Sequence, residues 1–149
     1  MLWSKTCEYA LQALLYIASQ SEDAYVRGQD VADYLPDVPT HYLMKILMDL
    51  AGKGVLQSLK GRGGGFLLAP GIRESGLLAV VCRIEGESFG DGCVLGLAKC
   101  ADETACPVHH AWSPIKTKLL TLLGEQTVGD IADAVRHGQY DLRILRKAG

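Results

Sequence analysis

The sequence contains no run of eighteen apolar residues, so it has no segment that could cross a bilayer as a helix. It also lacks the uncharged core and cleavage site of a signal peptide, because Lys5 and Glu8 follow the start closely. Internal repeats and low-complexity stretches are absent. These absences predict a cytoplasmic globular chain, and 149 residues, 48% of them apolar, suffice for one core.

Cysteine is scarce and odd in number, with five residues in all, which argues against a closed disulfide framework. Cys7 and Cys82 lie on apolar helix faces and are predicted to pack there. The other three lie in one glycine-rich loop. In a compartment that keeps thiols reduced, such clustered cysteines are typical of metal ligands or reactive groups.

A strong net charge is also missing, since the formal value is −2. The charges are unevenly distributed, however. Between His41 and Arg62, four basic residues stand against the single acidic residue Asp49. A basic segment in an acidic protein indicates one face that meets an anion, although a solvated surface cluster would give the same pattern.

Apolar periodicity predicts three helices in the first third of the chain, over residues 5–19, 28–35 and about 41–52. Thr40 is predicted to cap the third helix, and Gly52-Lys53-Gly54 to end it. The short apolar runs "VLQSLK" and "GFLLA" follow, joined by "GRGGG", and they predict a hairpin. Two short helices with a tight turn and then a hairpin are typical of a winged helix-turn-helix, which binds DNA.

In that fold the third helix enters the major groove and the hairpin, or wing, lies along the DNA backbone. The glycine loop is not a phosphate-binding loop of the nucleotide-binding kind, because neither a Lys-Ser/Thr pair nor a helix follows it. The predicted DNA-contacting residues are Thr40, His41, Met44 and Lys45 on the helix and Lys60, Arg62, Gly63 and Gly64 on the wing.

The second half is predicted to be helical as well, which makes the fold mostly α with a small β-hairpin wing. A helix over residues 74–86 should bury Leu77, Leu78, Val81 and Ile84, and an amphipathic tail covers 137–149. Ser113-Pro114 is predicted to open a long helix, and Thr127 with Asp130 to open the last one. The long helix carries a stripe near heptad spacing that favours pairing with a second subunit, or else packing on its own core: Val108, Trp112, Ile115, Leu119 and Leu122.

These patterns divide the chain into a DNA-binding domain over 1–72 and a second region over 73–149 that contains the cysteine loop, 88–111. In the loop, Cys93, Cys100 and Cys106 are spaced C-x6-C-x5-C, with His109 three residues later and His110 beside it. The ligand types suit an iron–sulfur cluster, zinc or copper(I), and the wide spacing disfavours a zinc knuckle. Unligated thiols remain an alternative. A catalytic Cys–His pair lacks an evident orienting group, so no enzyme is predicted.

Taken together, "EYALQALLYIA", the block "VADYLPDVPTHYLMKILMDLAGKGVLQSLKGRGGGFLLA", the three-cysteine loop and "CPVHHAW" resemble one known family. This is the Rrf family of winged-helix regulators, typified by the iron–sulfur regulator IscR and the nitric-oxide sensor NsrR. The resemblance runs over nearly the whole chain. It implies a homodimer on a palindromic operator in double-stranded DNA, with an iron–sulfur cluster whose state sets DNA affinity, and no small-molecule substrate.

The resemblance also implies ligands. Cys93, Cys100 and Cys106 match the three thiolates and His109 matches the imidazole of the [2Fe–2S] members, while Glu8 matches a carboxylate that the partner subunit supplies in others. We therefore expect [2Fe–2S], with [4Fe–4S] as the alternative. Met44 stands where IscR-like proteins carry a glutamate, so the operator sequence cannot be transferred. The alternatives are a cluster-free regulator that senses oxidants through thiols or a partner protein, and a small iron–sulfur electron carrier.

Overall fold

The structure is a computed structural model that describes residues 2–20 and 22–142. The last seven residues of the predicted amphipathic tail, 143–149, lie outside the described residues. The chain forms helices and one two-stranded antiparallel sheet in the following order: α1 (Lys5–Ser19), α2 (Gly28–Tyr34), α3 (Thr40–Gly52), β1 (Leu56–Leu59), β2 (Gly65–Leu68), α4 (Leu77–Glu85), a 3-10 turn (Asp102–Thr104), α5 (His109–Glu125) and α6 (Val128–Arg136). This arrangement confirms the predicted mostly α fold with a β-hairpin wing.

Helix α1 is the centre of the fold, and its apolar face packs against α3, β2 and α6. It begins after Ser4, whose Oγ accepts a hydrogen bond from the Cys7 backbone N–H at 3.1 Å, so the first turn has its cap. Its other end is held by Arg136 of α6, whose guanidinium donates to the carbonyl oxygens of Ala18, Ser19 and Gln20. A cation at these carbonyls stabilises the negative end of the helix dipole.

Helices α2 and α3 form the predicted helix-turn-helix, but the start of α3 differs from the prediction. Pro39 occupies the cap position without a side-chain bond, and Thr40 is the first helical residue, so the prediction that Thr40 caps the helix is wrong. The fixed φ of proline holds the chain extended up to this point and gives a sharp start without a polar cap. The glycine stop is confirmed. Gly54 has φ +71°, and the Val55 N–H returns to the Leu50 carbonyl at 2.9 Å.

The wing is a hairpin whose register pairs Leu56 with Leu68 and Leu59 with Gly65. Its base is anchored by Phe66, which is buried in the core and exchanges two backbone hydrogen bonds of 2.8 Å with Val26. The five residues of the tip, 60–64, extend beyond this anchor. A tip fixed only at its base is well suited to follow an external surface.

Helix α4 begins at Leu77, three residues later than predicted. The preceding residues form turns instead, and Gly76 forms an isolated bridge with Thr127, in which the Leu77 N–H donates to Gln126 at 2.8 Å. This contact with a distant segment holds Gly76 extended, at φ −63° and ψ 150°, where local periodicity favours a helix. The buried residues of α4 are Val80 and Val81, so the predicted burial is confirmed for Val81, whereas Leu77, Leu78 and Ile84 are only half-buried.

Helix α5 begins at His109, so the prediction that Ser113-Pro114 opens it is wrong. The first turn is fixed by the Cys106 and Val108 carbonyls, which accept from His109 and Trp112 at 2.9 Å. Pro114 lies inside the helix on its exposed side. Its ring has no N–H, so the carbonyl of His110 loses its helical donor at this position.

The predicted stripe of α5 divides into two parts. Trp112 and Leu119 are half-buried, whereas Val108, Ile115 and Leu122 are 38%, 57% and 56% exposed. The stripe therefore does not fold back completely on the core of its own chain.

The predicted cap of the last helix is confirmed, because Thr127 Oγ1 accepts from the Asp130 N–H at 3.0 Å. None of the helices within residues 2–20 and 22–142 combines the length and the apolar character that crossing a bilayer requires.

Candidate DNA-binding surface and cysteine site

Helix α3 presents one exposed stripe and one buried stripe, separated by the helical period. The buried stripe faces α1 and β1 and consists of Leu43, Ile46, Leu47 and Leu50. The predicted contact residues Thr40, His41 and Lys45 are all exposed. The same stripe continues one turn further to Met48, which is 47% exposed and was not among the predicted contact residues. Met48 lies three residues after Lys45, and this helical spacing could have identified it from the sequence.

Met44, the fourth predicted contact residue of α3, is half-buried rather than exposed. A Cβ added at Gly28 would lie 2.7 Å from Met44 Sδ and 3.6 Å from the Phe66 ring, so the thioether packs into the space that the glycine leaves open. Met44 thus joins α3 to the start of α2 and the base of the wing. This packing fixes the position of the exposed stripe relative to the hairpin.

The wing tip carries the predicted cations Lys60 and Arg62, both exposed. Within the described residues neither of them forms an ion pair. Gly63 has φ +75°, and a Cβ on Gly64 would lie 2.1 Å from the Leu59 carbonyl oxygen, so the tight tip requires glycine at these positions. The tip therefore carries two unpaired positive charges on a backbone that can approach a phosphate chain closely.

A groove of about 450 Å³ separates α3 from the wing, lined by both methionines of α3, the wing glycines and Arg27. Arg27 donates two hydrogen bonds to Asp30, at 2.6 and 2.9 Å, and the hydrogen bonds and charge of Asp30 raise the pKa of the guanidinium. Arg27 was not predicted as a contact residue, and its isolated position before α2 gave no sequence signal.

The cysteine loop connects α4 to α5, and its thiols form contacts in pairs. Cys93 Sγ lies 3.5 Å from Cys106 Sγ, and Cys100 Sγ lies 3.5 Å from His109 Nδ1. Cys93 is buried, and a hydrogen bond of 3.4 Å from the Leu95 backbone N–H lowers the pKa of its thiol. Each predicted ligand of the loop therefore contacts one other predicted ligand in the structure.

His109 is the first residue of α5 and is 97% buried, with its ring held on both sides. Its Nε2 lies 2.9 Å from Asp102 Oδ1, in the 3-10 turn of the loop. Asp102 therefore orients the imidazole so that Nδ1 faces Cys100. This orienting group was not predicted from the sequence, although an acid two residues after Cys100 was a visible signal.

The donor set, three thiols and one imidazole, is of the soft kind that suits an iron–sulfur cluster, zinc or copper(I). Metal–sulfur bonds of about 2.3 Å at tetrahedral angles separate two thiolates on one ion by about 3.8 Å. The Cys93–Cys106 and Cys100–His109 separations of 3.5 Å are close to this value. Among the described residues, no three potential ligands gather around one point.

Glu8, the alternative ligand, lies on α1 and forms an ion pair of 2.8 Å with Lys5. The hydrogen bond from Lys5 lowers the pKa of its carboxyl. Its proposed role involves the partner subunit's site and stays a prediction. Cys7 is fully buried in the core, and burial raises the pKa of its thiol to about 12, as expected for a packing residue.

Comparison with known proteins identifies the family. The sequence profile of the Rrf2 family, described as iron-dependent transcriptional regulators, matches residues 3–134. An HTH-type transcriptional regulator of Aquifex aeolicus is 33% identical over 138 residues, which is 88% of this chain and 91% of that protein.

Two solved structures share the fold. CymR, the global cysteine regulator of B. subtilis, has a TM-score of 0.69 at 18% identity, covering 88% of this chain and 95% of its own. T. potens IscR has a TM-score of 0.69 at 19% identity, covering 93% and 91%. The relatives are transcriptional regulators rather than enzymes. With its winged helix-turn-helix and a profile match over most of its length, this chain belongs to the Rrf2 family of DNA-binding transcriptional regulators.

Proposed function

We propose that the chain acts as a homodimer on a palindromic operator and that an iron–sulfur cluster held in the cysteine loop sets its affinity for DNA. The observation that carries the proposal is the pairing of Cys93 with Cys106 and of Cys100 with His109 at the start of α5. The iron-dependent description of the family supports the choice of metal. Because the four atoms form two pairs, [2Fe–2S] is favoured over [4Fe–4S].

Four residues of the loop and α5 would hold the cluster: Cys93, Cys100, Cys106 and His109. When bound, the cluster supplies metal–ligand bonds that respond to iron supply, oxidants and nitric oxide. The protein contributes their placement. Leu95 donates its backbone N–H to Cys93, and Asp102 holds His109 with Nδ1 towards Cys100. Such outer contacts fix the orientation of metal ligands.

The loop is able to transmit its state because it has little structure of its own. Between Gly86 and Val108, leaving aside the side chain of Thr104, Cys93 is the one buried residue. Burial therefore does little to order the loop, and ligation at four points would order it instead. His109 transfers this order to α5, since the ligand is also the first helical residue.

Helix α5 would then connect the cysteine loop to the interface between the two subunits. Its exposed apolar residues Val108, Ile115 and Leu122 recur every seven residues and are suited to pack against the same face of a second copy. The position of α5 would set the separation of the two α3 helices, which must match half-sites about one DNA turn apart. A tenfold change in operator affinity needs only about 1.4 kcal/mol of difference between the two states.

The test is anaerobic purification with iron and sulfide analysis, followed by operator binding of the cluster-containing and cluster-free protein at one salt concentration. We expect a coloured protein and different affinities. The variant Cys100→Ser should bind DNA as the cluster-free protein does, and Cys82→Ser on α4 is the matched control. Equal affinities of the two forms, or a colourless protein that binds its operator fully, would refute the proposal.

Iron content also separates the alternatives. A cluster-free thiol regulator would respond to oxidants with no iron present. A small electron carrier would have no use for the wing, and membership of a family of transcriptional regulators speaks against it.

A further inference from the structure

The cysteine loop contains a pair of thiols placed for a second chemistry that needs no metal. Cys93 Sγ and Cys106 Sγ are 3.5 Å apart, and a disulfide bond of about 2.05 Å requires them to approach by only about 1.5 Å. The third thiol of the loop, Cys100, faces the His109 imidazole instead. The structure thus distinguishes one pair of cysteines from the third.

The loop is free to make this small movement. Val94, Leu95 and Leu97 are each more than half exposed, so the segment after Cys93 is not held by the core. Gly90 and Gly96 have φ values of +92° and +78°, conformations that glycine adopts at no steric cost. Cys106, at the other end, accepts the His109 N–H at 2.9 Å through its carbonyl and so stays close to the start of α5.

We propose that Cys93 and Cys106 are a disulfide modification site of the cluster-free protein, oxidised by hydroperoxides while Cys100 stays a thiol. Cys106 is the more accessible sulfur of the pair, because Cys93 is only 9% exposed. Its sulfur attacks the peroxide O–O bond, forming a sulfenic acid and releasing water. Cys93 sulfur then displaces the hydroxyl group as a second water. Two thiols and one hydrogen peroxide thus give one disulfide and two waters, with two electrons passing from sulfur to oxygen.

If the ligand set is the one proposed above, this modification also prevents cluster uptake. A disulfide removes two of the four ligands, so the oxidised protein cannot take up a cluster until a dithiol reductant restores them. It also protects both sulfurs from irreversible oxidation to sulfinic and sulfonic acids. Peroxide would then keep the cluster-free protein in an oxidised form that a dithiol reductant can reverse.

The test uses the full chain after chelation of any metal and complete reduction. The protein is treated with one equivalent of hydrogen peroxide, its free thiols are alkylated, and it is digested with trypsin without reduction. Cleavage after Arg83, Lys99 and Lys116 places Cys93 in the peptide 84–99 and the other two loop cysteines in 100–116. We expect these two peptides to be joined, with fragmentation locating the link at Cys106 and the alkyl group at Cys100.

Variants separate the pairings. Cys93→Ser and Cys106→Ser should abolish the joined peptides, and Cys100→Ser should keep them. Cys82→Ser serves as the control on α4, and far-ultraviolet circular dichroism checks that each variant is folded. A link from Cys93 to Cys100, a link inside 100–116, a bond between two chains, or only sulfonic acids would overturn the proposal.

Cluster uptake gives an independent readout. Oxidised wild type should fail to incorporate iron and sulfide until dithiothreitol is added, whereas reduced wild type should incorporate them directly. If no cluster forms under any condition but the Cys93–Cys106 bond does, the proposed function fails and the disulfide site stands. If the cluster forms and no such bond is found, the disulfide site fails alone.

Discussion

Removal of the two cations of the wing tip should change the salt dependence of DNA binding by a calculable amount. Lys60 and Arg62 are exposed and, within the part of the chain that the structure describes, unpaired, so each is free to contact one phosphate. On an operator that binds two subunits, Lys60→Gln with Arg62→Gln removes four phosphate contacts. Because each neutralised phosphate contributes about 0.9 to the slope of log K against log salt, the slope should fall in magnitude by about 3.6.

This slope converts into affinity. Between roughly 50 and 200 mM salt, the wild-type affinity should fall about 150-fold further than that of the double variant. Fluorescence anisotropy titrations at several salt concentrations measure the slope for an operator and for a scrambled duplex. The loss should be similar on both, because phosphate contacts carry no direct sequence information.

The matched control is Lys118→Gln, which removes one positive charge from the exposed side of α5, a helix that packs on α4 rather than on the wing. It should leave the slope unchanged. If the salt plots of the double variant and the wild type are parallel, the wing does not contact phosphates. If the double variant loses affinity for the operator alone, the cations read sequence and the reasoning is wrong.

Three further predictions concern α3, the wing and the α1–α6 contact. Gly65→Ala should lower the free energy of unfolding by about 2 kcal/mol, because φ is +146° and the added Cβ would lie 2.2 Å from the Val26 carbonyl oxygen. The distorted wing should also bind every duplex more weakly. Gly61→Ala, where a Cβ would meet open space, should cause smaller losses in thermal melts and in anisotropy titrations. If Met48 contacts a thymine methyl, replacing that operator thymine by deoxyuridine should weaken wild-type binding roughly fourfold, or about 0.8 kcal/mol. Met48→Ala should abolish this loss of affinity. Wild-type binding that is insensitive to the replacement at every thymine would contradict a methyl contact. Arg136→Met should lower the free energy of unfolding by about 2 kcal/mol, because the carbonyls at the end of α1 and that of the following Gln20, 2.7 Å away, lose their charged donor. Arg136→Lys should recover part of this loss in urea denaturation, and an unchanged midpoint for Arg136→Met would show that the contact contributes nothing.

The positions at which the sequence-based prediction succeeded share a local cause. The buried stripe of α3 follows the helical period, the glycine stop at Gly54 depends on one residue's backbone freedom, and the cap at Thr127 depends on a residue three positions away. Each of these features is determined within one or two turns of chain. Local sequence therefore predicted the helix-turn-helix, the wing and the last helix.

The errors arose where distant segments decide the conformation. The bridge between Gly76 and Thr127 delays the start of α4, although the local pattern favours a helix from residue 74. Helix α5 begins at His109 because this ring is buried and held by the loop, whereas Pro114 alone favours a later start. Neither contact is visible in the periodicity of a single segment.

By itself, the sequence determined the mostly α winged fold, the positive wing tip and the presence of a soft ligand set in one loop, because periodicity, charge and residue type are local properties. The tertiary structure decided which of these groups meet. It packed Met44 against the space left by Gly28 and left Met48 exposed on the same helix. It also paired Cys93 with Cys106, because loop closure brings together atoms that no residue spacing specifies.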